Sequence, residues 1–306
     1  MPEQSSPQRI LLTGASGLVG SELVRFFEAR GQQVVRLLRA TSPLLGSPNW
    51  NPAAGTIDLS NVGRLDAVVH LAGENIGQRW SSKVKRRARE SRVEGTRLIC
   101  SALAKLPDPP KVLVSASATG FYGDRGDEWL DEASASGQGF LAEVCREWEA
   151  ATSAAEQAGI RVVHVRFGIV LSPKGGALAK MLPVFRLGLG GRLGDGRSYW
   201  SWITPDDLTG VIHHILTCES LRGAVNVVTP NPVTNAEFTR ALGRVLNRPT
   251  LFPVPRFVIE AAFGEMGREA MLASFRVKPT KLIETGFNFR FPDLETALRN
   301  LLGRRS

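Results

Sequence analysis

Cysteine is scarce: Cys100, Cys145 and Cys218 are the only three in 306 residues, far apart and without a Cys-x-x-Cys or Cys/His ligand spacing. Neither a disulfide framework nor a zinc site is expected from that pattern. The four histidines, His70, His164, His213 and His214, offer no metal spacing either, so no metal is expected. His70 and His164 lie inside apolar runs, where a satisfied core histidine is the expected role. No stretch of about 18 uninterrupted apolar residues is present, which argues against a membrane-spanning helix. The opening MPEQSSPQR is polar and runs at once into a short apolar segment and a glycine turn. That pattern lacks a signal-peptide core, and cytoplasm is the expected compartment.

What is present is ordinary globular usage, 43% hydrophobic and 22% charged, which excludes a disordered or fibrous chain. The length suits one large core with a smaller lobe. Lysine and arginine outnumber the acids by 38 to 29, a net charge of +9 that attracts anionic ligands. The densest basic run is Lys83, Lys85, Arg86, Arg87, Arg89 and Arg92, within about three helical turns and with no interleaved aromatic beyond Trp80. A solvated helix face is the expected reading there, with an anion or partner site as the alternative. The expected partner is a small-molecule substrate or metabolite, with neither nucleic acid nor membrane, bound to a monomer or homodimer.

Along the chain, Ile10–Leu12 is a short apolar run that meets TGASGLVG, after which Leu23, Val24, Phe26 and Phe27 recur with helical spacing. Strand, glycine loop and helix follow in that order, and VVRLL at 34–38 makes the second strand of a βαβ unit. The alternation continues with strands at 65–73, 111–117, 161–171 and 224–229 and helices at 92–106 and 140–156. Buried valine-rich strands alternating with helices predict an α/β fold, a Rossmann-like doubly wound parallel sheet with a smaller C-terminal substrate lobe. Glycine-dense segments between Ser172 and Arg197 and a helical tail after Thr229 break the alternation. Residues 8–175 plus 205–229 are therefore assigned to the Rossmann-like domain, and 176–204 plus 230–306 to the smaller lobe.

The glycine loop fits a dinucleotide. Gly14 permits the tight turn, Gly17 lets backbone approach a pyrophosphate, and Gly20 lets the helix pack close to the strand. Thr13, Ser16, Leu18 and Val19 complete the loop, and the diphosphate is expected at the helix N-terminus. An NAD-selective site ends its second strand on an acid, yet Arg36 and Arg39 stand there and no acid follows until Asp58. Side-chain alternation leaves one of the two facing the ligand. Arg39, at the strand exit, is the expected 2′-phosphate partner, so NADP(H) is the expected cofactor.

With these features and HLAG (70–73) in place, the chain resembles an extended short-chain dehydrogenase/reductase. More narrowly, it is similar to the atypical subgroup labelled an epimerase family and related to nucleotide-sugar epimerases. The resemblance spans TGASGLVG, HLAGENIGQRW, SRVEGT, SASATGFYGD, GFLAEVCREWE, GGALAKMLP, SWITPDDL, NPVTNAEF and a C-terminal segment with FGEM and GFNFRFPDL. It implies an NADP(H)-dependent oxidoreductase or epimerase acting on a small oxygenated substrate, a nucleotide sugar among the candidates. The alternative is a non-catalytic, NADP(H)-responsive regulatory protein, since members of the family are linked by name to cell division.

The resemblance also implies site residues. Ser117 matches the family serine and would polarise the substrate oxygen, while Leu71, Ala72 and Gly73 line the cofactor. Arg92 stands where relatives carry an asparagine and is grouped with the cofactor residues; an anionic substrate or a pairing acid are its alternatives. The tyrosine and lysine of ordinary members should open the helix near 140, but Phe140 with Val144, or Leu141 with Cys145, stand there. Phenylalanine has no exchangeable proton, and valine and cysteine are not cations. Three substitutes are weighed: Tyr122 at the mouth of the site with Arg92 lowering its pKa, Glu74 after HLAG, and Cys145. Their plainer readings are a packing aromatic, a solvated carboxylate and a buried thiol. Trp200, Trp202, Asp206 and Asp207 match the pocket rim of relatives, with a helix cap by Asp206 as the structural alternative. Gly175 to Gly191 match a pocket wall.

Overall fold

The computed structural model describes residues 8–39 and 48–304. Most of the polar opening stretch, on which the expectation of no signal peptide rests, lies outside the described residues. The first strand, β1 (Arg9–Thr13), buries Ile10, Leu11 and Leu12 completely, as an apolar run must when both faces of a sheet are covered. α1 (Leu18–Glu28) leads to β2 (Gln33–Arg39), and a short hairpin, β3 (Asn49–Asn51) and β4 (Thr56–Asp58), extends that edge. The chain then returns through β5 (Ala67–His70), α2 (Ser82–Leu103) and β6 (Val112–Ala118). A 3-10 turn (Thr119–Tyr122), β7 (Trp129–Leu130), α3 (Phe140–Ala150), α4 (Ser153–Gln157), β8 (Arg161–Phe167) and β9 (Ile169–Val170) follow.

The remaining elements are α5 (Gly176–Arg186), β10 (Tyr199–Trp200), β11 (Trp202–Ile203), α6 (Pro205–Thr217), β12 (Gly223–Val227), β13 (Val233–Thr234), α7 (Asn235–Leu246), α8 (Arg256–Phe263), a π-helical turn (Gly267–Met271), β14 (Arg276–Val277), α9 (Thr280–Glu284) and α10 (Leu294–Leu301). The eight-stranded sheet has the order β12-β8-β6-β5-β1-β2-β3-β4 and is parallel except for the β3–β4 pair. Strand order therefore reverses between β1 and β5, where an open α/β sheet places its ligand crevice.

Strand alternation divides the core. Ile10, Leu12, Val69 and Val114 pack with α1 and α6 on one face. Leu11, Val68 and Leu113 pack with Ile99 and Leu103 of α2 on the other. A further core gathers Leu178 and Phe185 of α5, Trp202, Phe238 and Leu242 of α7 and Leu298 of α10. The last of these helices to be read from sequence, α7, starts on a capping box: the Thr234 hydroxyl accepts from Glu237 N and the Glu237 carboxylate accepts from Thr234 N at 2.7 Å.

Four elements differ clearly from the sequence reading. The expected strand over 65–73 shortens to Ala67–His70, with Leu71, Ala72 and Gly73 beyond its end. α2 begins at Ser82, ten residues before the expected 92, because Ser81 caps it by accepting from Val84 N. The expected helix over 140–156 is two helices, since the Thr152 hydroxyl turns back to Glu149 O at 2.8 Å and contacts His164. The expected strand over 161–171 ends at Phe167, and β9 leaves the main sheet to pair with β11.

Candidate functional site

At the C-terminal end of β1 the chain turns sharply. Gly14 has φ +69, and a Cβ there would lie 3.0 Å from the Leu71 carbonyl carbon. A Cβ on Gly20 would come within 2.1 Å of Gly14 O, so α1 packs against its own loop. Gly17 caps α1 without a side-chain hydrogen bond, and no acid lies in the first turn. Ser16 and Gly17 are exposed, while Leu18 and Val19 are half-buried. The N–H groups and positive end of this helix thus face the crevice at the sheet's switch point, a cradle that fits an anionic diphosphate.

Behind the cradle runs a chain of buried hydrogen bonds. Thr13 Oγ1 accepts from the N–H groups of Leu71 (3.0 Å) and Ala72 (3.2 Å), so its own hydrogen goes to His70 Nδ1 at 2.8 Å. That assignment leaves the His70 proton on Nε2, donated to Thr96 Oγ1 at 3.1 Å; Trp148 Nε1 donates to the same oxygen at 2.9 Å. His70 is a satisfied core histidine, and burial pushes its pKa from 6.5 down to about 4. The unfolded chain then binds a proton that the folded protein excludes. Stability conferred by this neutral ring is complete above pH 6.5 and declines as pH falls towards 4, by about 3 kcal/mol in total. In urea titrations, His70→Gln should show a correspondingly shallower loss of stability across that window than the wild type. Equal slopes would show that His70 is not the titrating group.

Arg39 ends β2 opposite Trp50 and is exposed, whereas Arg36 pairs with Glu28 at 2.9 Å. Gly73 is exposed beside the Arg92 guanidinium, where a Cβ would lie 3.3 Å from its central carbon. Arg92 is half-buried, stacked over Trp148 at 5.0 Å, and donates to Ala88 O. Of the basic run, Lys85 pairs with Glu265 and Arg89 with Glu143 and Glu147, so this helix face is partly neutralised by its neighbours. Lys83, Arg86 and Arg87 are exposed.

Between the glycine loop and α3 lies a cavity of about 220 Å³. Its walls are apolar: Val19, Leu71, Ile76, Phe140, Leu141, Val144 and Phe167, with Arg92, Ser117 and Cys145 as polar members. Both frames weighed from the sequence, Phe140 with Val144 and Leu141 with Cys145, line this cavity. Burial pushes the Cys145 thiol up to about 11, which makes it an inert neighbour rather than a nucleophile. The first turn of α3 is held from the C-terminal segment, where the Glu269 carboxylate accepts from Phe140 N (3.2 Å) and Leu141 N (3.0 Å). Glu74 is half-buried at the end of the β5 loop, its N–H donated to Ser91 Oγ.

Ser117 is 2% exposed and sits at the C-terminal end of β6. Its hydroxyl donates to Glu149 Oε1 at 2.7 Å, rather than into the cavity as the polarising role expects. Arg166 grips the same carboxylate with Nε and Nη2, both at 2.8 Å, in a pair whose side chains are 5% and 12% exposed. The third arm of Arg166, Nη1, donates to the Tyr122 hydroxyl at 3.0 Å, which in turn donates to Asn226 Oδ1 at 2.7 Å.

The expectation for Tyr122 is corrected here. It is 0% exposed, packed with Leu130, Val228 and Val277, because the 3-10 turn after β6 directs it beneath the sheet edge. Its neighbouring cation is Arg166, not Arg92, and burial pushes the phenol up to about 12 instead of down. Asp206 is not the cap of α6 either: Thr204 fills that role, while buried Asp207 accepts from Arg290 N and Phe291 N. Trp200 and Trp202 are both buried in the core with Phe238, Trp200 in ring contact with it at 5.1 Å. Glu149 and Arg166 were not singled out by the sequence reading. The available signal is an arginine inside a valine-rich strand, where a charge is found only with a partner.

Among the described residues no cluster of potential metal ligands occurs, and no helix is long and apolar enough to cross a membrane. Residues 10–227 match the model of the NAD dependent epimerase/dehydratase family, and 254–301 match a domain of unknown function, DUF1731. An epimerase family protein of Mycobacterium bovis is 42% identical over 94% of this chain and 96% of its own length. The human epimerase family protein SDR39U1 is 36% identical over 96% of this chain and 99% of its own. A crystal structure of human SDR39U1 with NADPH superimposes with a TM-score of 0.87 at 34% identity, covering 97% of this chain and 100% of that one. The nucleoside-diphosphate sugar epimerase of Corynebacterium glutamicum gives 0.79 at 37% identity, covering 98% of this chain and 59% of that one. A glycine cradle at the switch point, a serine-floored pocket beside it and full-length similarity of this kind make the chain a member of the NAD-dependent epimerase/dehydratase family, in its epimerase family protein branch.

Proposed function

We propose that the chain is an NADP(H)-dependent oxidoreductase or epimerase whose substrate, a small oxygenated molecule, enters the cavity floored by Ser117. The observation that carries this reading is the position of Ser117 in an apolar cavity that shares Val19 with the glycine-loop helix. The cradle at Thr13, Gly14, Ser16, Gly17, Leu18 and Val19 would hold the diphosphate, Arg39 the 2′-phosphate, and Leu71, Ala72, Gly73 and Arg92 the cavity end of the cofactor. The NADPH in the human relative's structure supports that choice. When bound, the nicotinamide supplies a hydride donor or acceptor. The chain's residues orient the substrate and exclude water from it. Residues 8–175 plus 205–229 then act as the cofactor domain, and 176–204 plus 230–306 as the substrate lobe. The apolar walls favour a substrate with few polar groups over a bare sugar ring. Glu74 and Ser117 remain the candidates for contact with the reacting oxygen, while Tyr122 serves the buried network.

Cofactor choice is tested by thermal-shift titration, since a ligand binding only the native state adds RT ln(1 + [L]/Kd), about 2.7 kcal/mol at 100 Kd. NADPH should stabilise more than NADH at equal concentration, and Arg39→Asp should reverse the order. Equal shifts would remove the 2′-phosphate role. Catalysis is tested in both directions, by NADPH oxidation across a carbonyl panel and NADP⁺ reduction across an alcohol panel, with Ser117→Ala lowering turnover by roughly 10²-fold. Tight NADPH binding without turnover on any member of either panel would replace the enzyme with a cofactor-responsive binding protein.

A further inference from the structure

The buried chain behind the cavity has a determined direction. Asn226 donates Nδ2 to Lys278 O at 2.9 Å, which leaves its Oδ1 to accept the Tyr122 hydrogen. The Tyr122 oxygen accepts from Arg166, which has no acceptor to offer, and Arg166 closes a two-point fork on Glu149. A carboxylate held in that fork only accepts, so the hydrogen between Ser117 and Glu149 belongs to Ser117. A hydroxyl has one hydrogen and two lone pairs. The Ser117 hydrogen points away from the cavity, and what the cavity wall presents at that point is lone pairs. Trp148, the neighbouring donor, is engaged by Thr96. The cavity's other polar side chains are Arg92 and Cys145, whose thiol lies beside Ser117 but gives its single hydrogen to Ala118 O at 3.8 Å.

We propose that Glu149, locked by Arg166, is a positioning residue that makes Ser117 a hydrogen-bond acceptor, and that the ligand group received there is a donor, the hydroxyl of an alcohol rather than a carbonyl oxygen. A carbonyl at this point would set oxygen lone pairs against oxygen lone pairs and leave both groups without a partner inside an apolar wall, a situation that costs more than the absence of a bond. The proposal rests on the reading of this cavity as the substrate pocket. It deepens that reading by naming the reduced, alcohol form of the substrate as the one the ground-state site selects.

The test uses two probes that cannot exchange a hydride with nicotinamide, phenol as donor and anisole as acceptor only. Their binding to the NADPH-loaded protein is measured by ligand-observed NMR. Phenol should bind about tenfold or more tightly than anisole, and Ser117→Ala should bring the two within about threefold. The double change Glu149→Leu with Arg166→Met removes the acceptor and its charge partner together and frees the serine hydrogen for the cavity, so the preference should collapse or invert while NADPH affinity is unchanged. Ser117→Ala removes one oxygen from the cavity wall and keeps the test readable if the double variant does not fold. Equal binding of the two probes to the wild type overturns the acceptor assignment but leaves the pocket standing. An unchanged preference in the folded double variant overturns the role of Glu149. Failure of both probes to saturate while NADPH binds overturns the pocket reading itself, and with it the proposal.

Discussion

Gly20→Ala is expected to destabilise the fold on the order of 3 kcal/mol and to abolish NADPH binding together with it. The new Cβ would lie 2.1 Å from Gly14 O, 2.8 Å from Gly14 C and 2.9 Å from Ala15 Cα. All three are backbone atoms of the loop that the helix must touch. No side chain can swing aside, so α1 has to lift from its own loop, an overpacking cost at the upper end of the usual range. A fall of roughly 5–8 °C in Tm is the corresponding signal. Gly17→Val provides the contrast: Gly17 is exposed at φ −74, and a Cβ there meets Gly14 O alone, at 3.2 Å. It should stay folded with a much smaller loss of Tm than Gly20→Ala and lose the cofactor, because the branched side chain fills the space a pyrophosphate would occupy. Should Gly20→Ala keep both its Tm and its affinity, the close packing of loop and helix is not what holds the cradle.

Arg166→Met is expected to cost about 3–5 kcal/mol, the usual consequence of leaving one member of a buried ion pair without its partner. Glu149 would retain the Ser117 hydroxyl but lose both arms of the fork, and the Tyr122 oxygen would lose its donor. The double change Arg166→Met with Glu149→Leu removes both charges and should be more stable than Arg166→Met alone. Chemical denaturation of the two single variants and the double variant gives the coupling directly. Additive losses would mean that the two side chains do not act as a pair.

The glycine loop, β1, β2 and α7 are legible from sequence because each carries a local cause: an apolar run, a glycine at a forced turn, or a capping box. The basic run at 83–92 reads as a helix face of its own, but SKVKRRARE carries little apolar periodicity, so nothing in the sequence joins it to the helix expected from 92. Ser117 was legible through its match to the family serine, but its polarity was not. Its hydrogen is assigned by Glu149, on a helix 32 residues later, and Glu149 by Arg166 on the next strand of the sheet. Tyr122 was misplaced for a related reason. Nearness in sequence to Ser117 suggested a shared cavity, whereas after a single 3-10 turn Tyr122 packs with Leu130, Val228 and Val277 and meets Ser117 only through the intervening Arg166–Glu149 pair. Pairings across elements have no periodic trace in a single chain. The clue that did exist, a charge inside a buried strand, signals that a partner is needed without saying which.

The grip of Glu269 on the first turn of α3 makes the two matched stretches, 10–227 and 254–301, parts of one machine. Phe140 and Leu141, whose backbone N–H groups the carboxylate holds, are themselves cavity wall. The C-terminal stretch therefore reaches across the chain to set where the mouth of the pocket begins. Substitutions that reshape the one stretch would be felt by the other, and a swap of C-terminal segments between relatives would transplant a piece of the pocket's frame along with the tail.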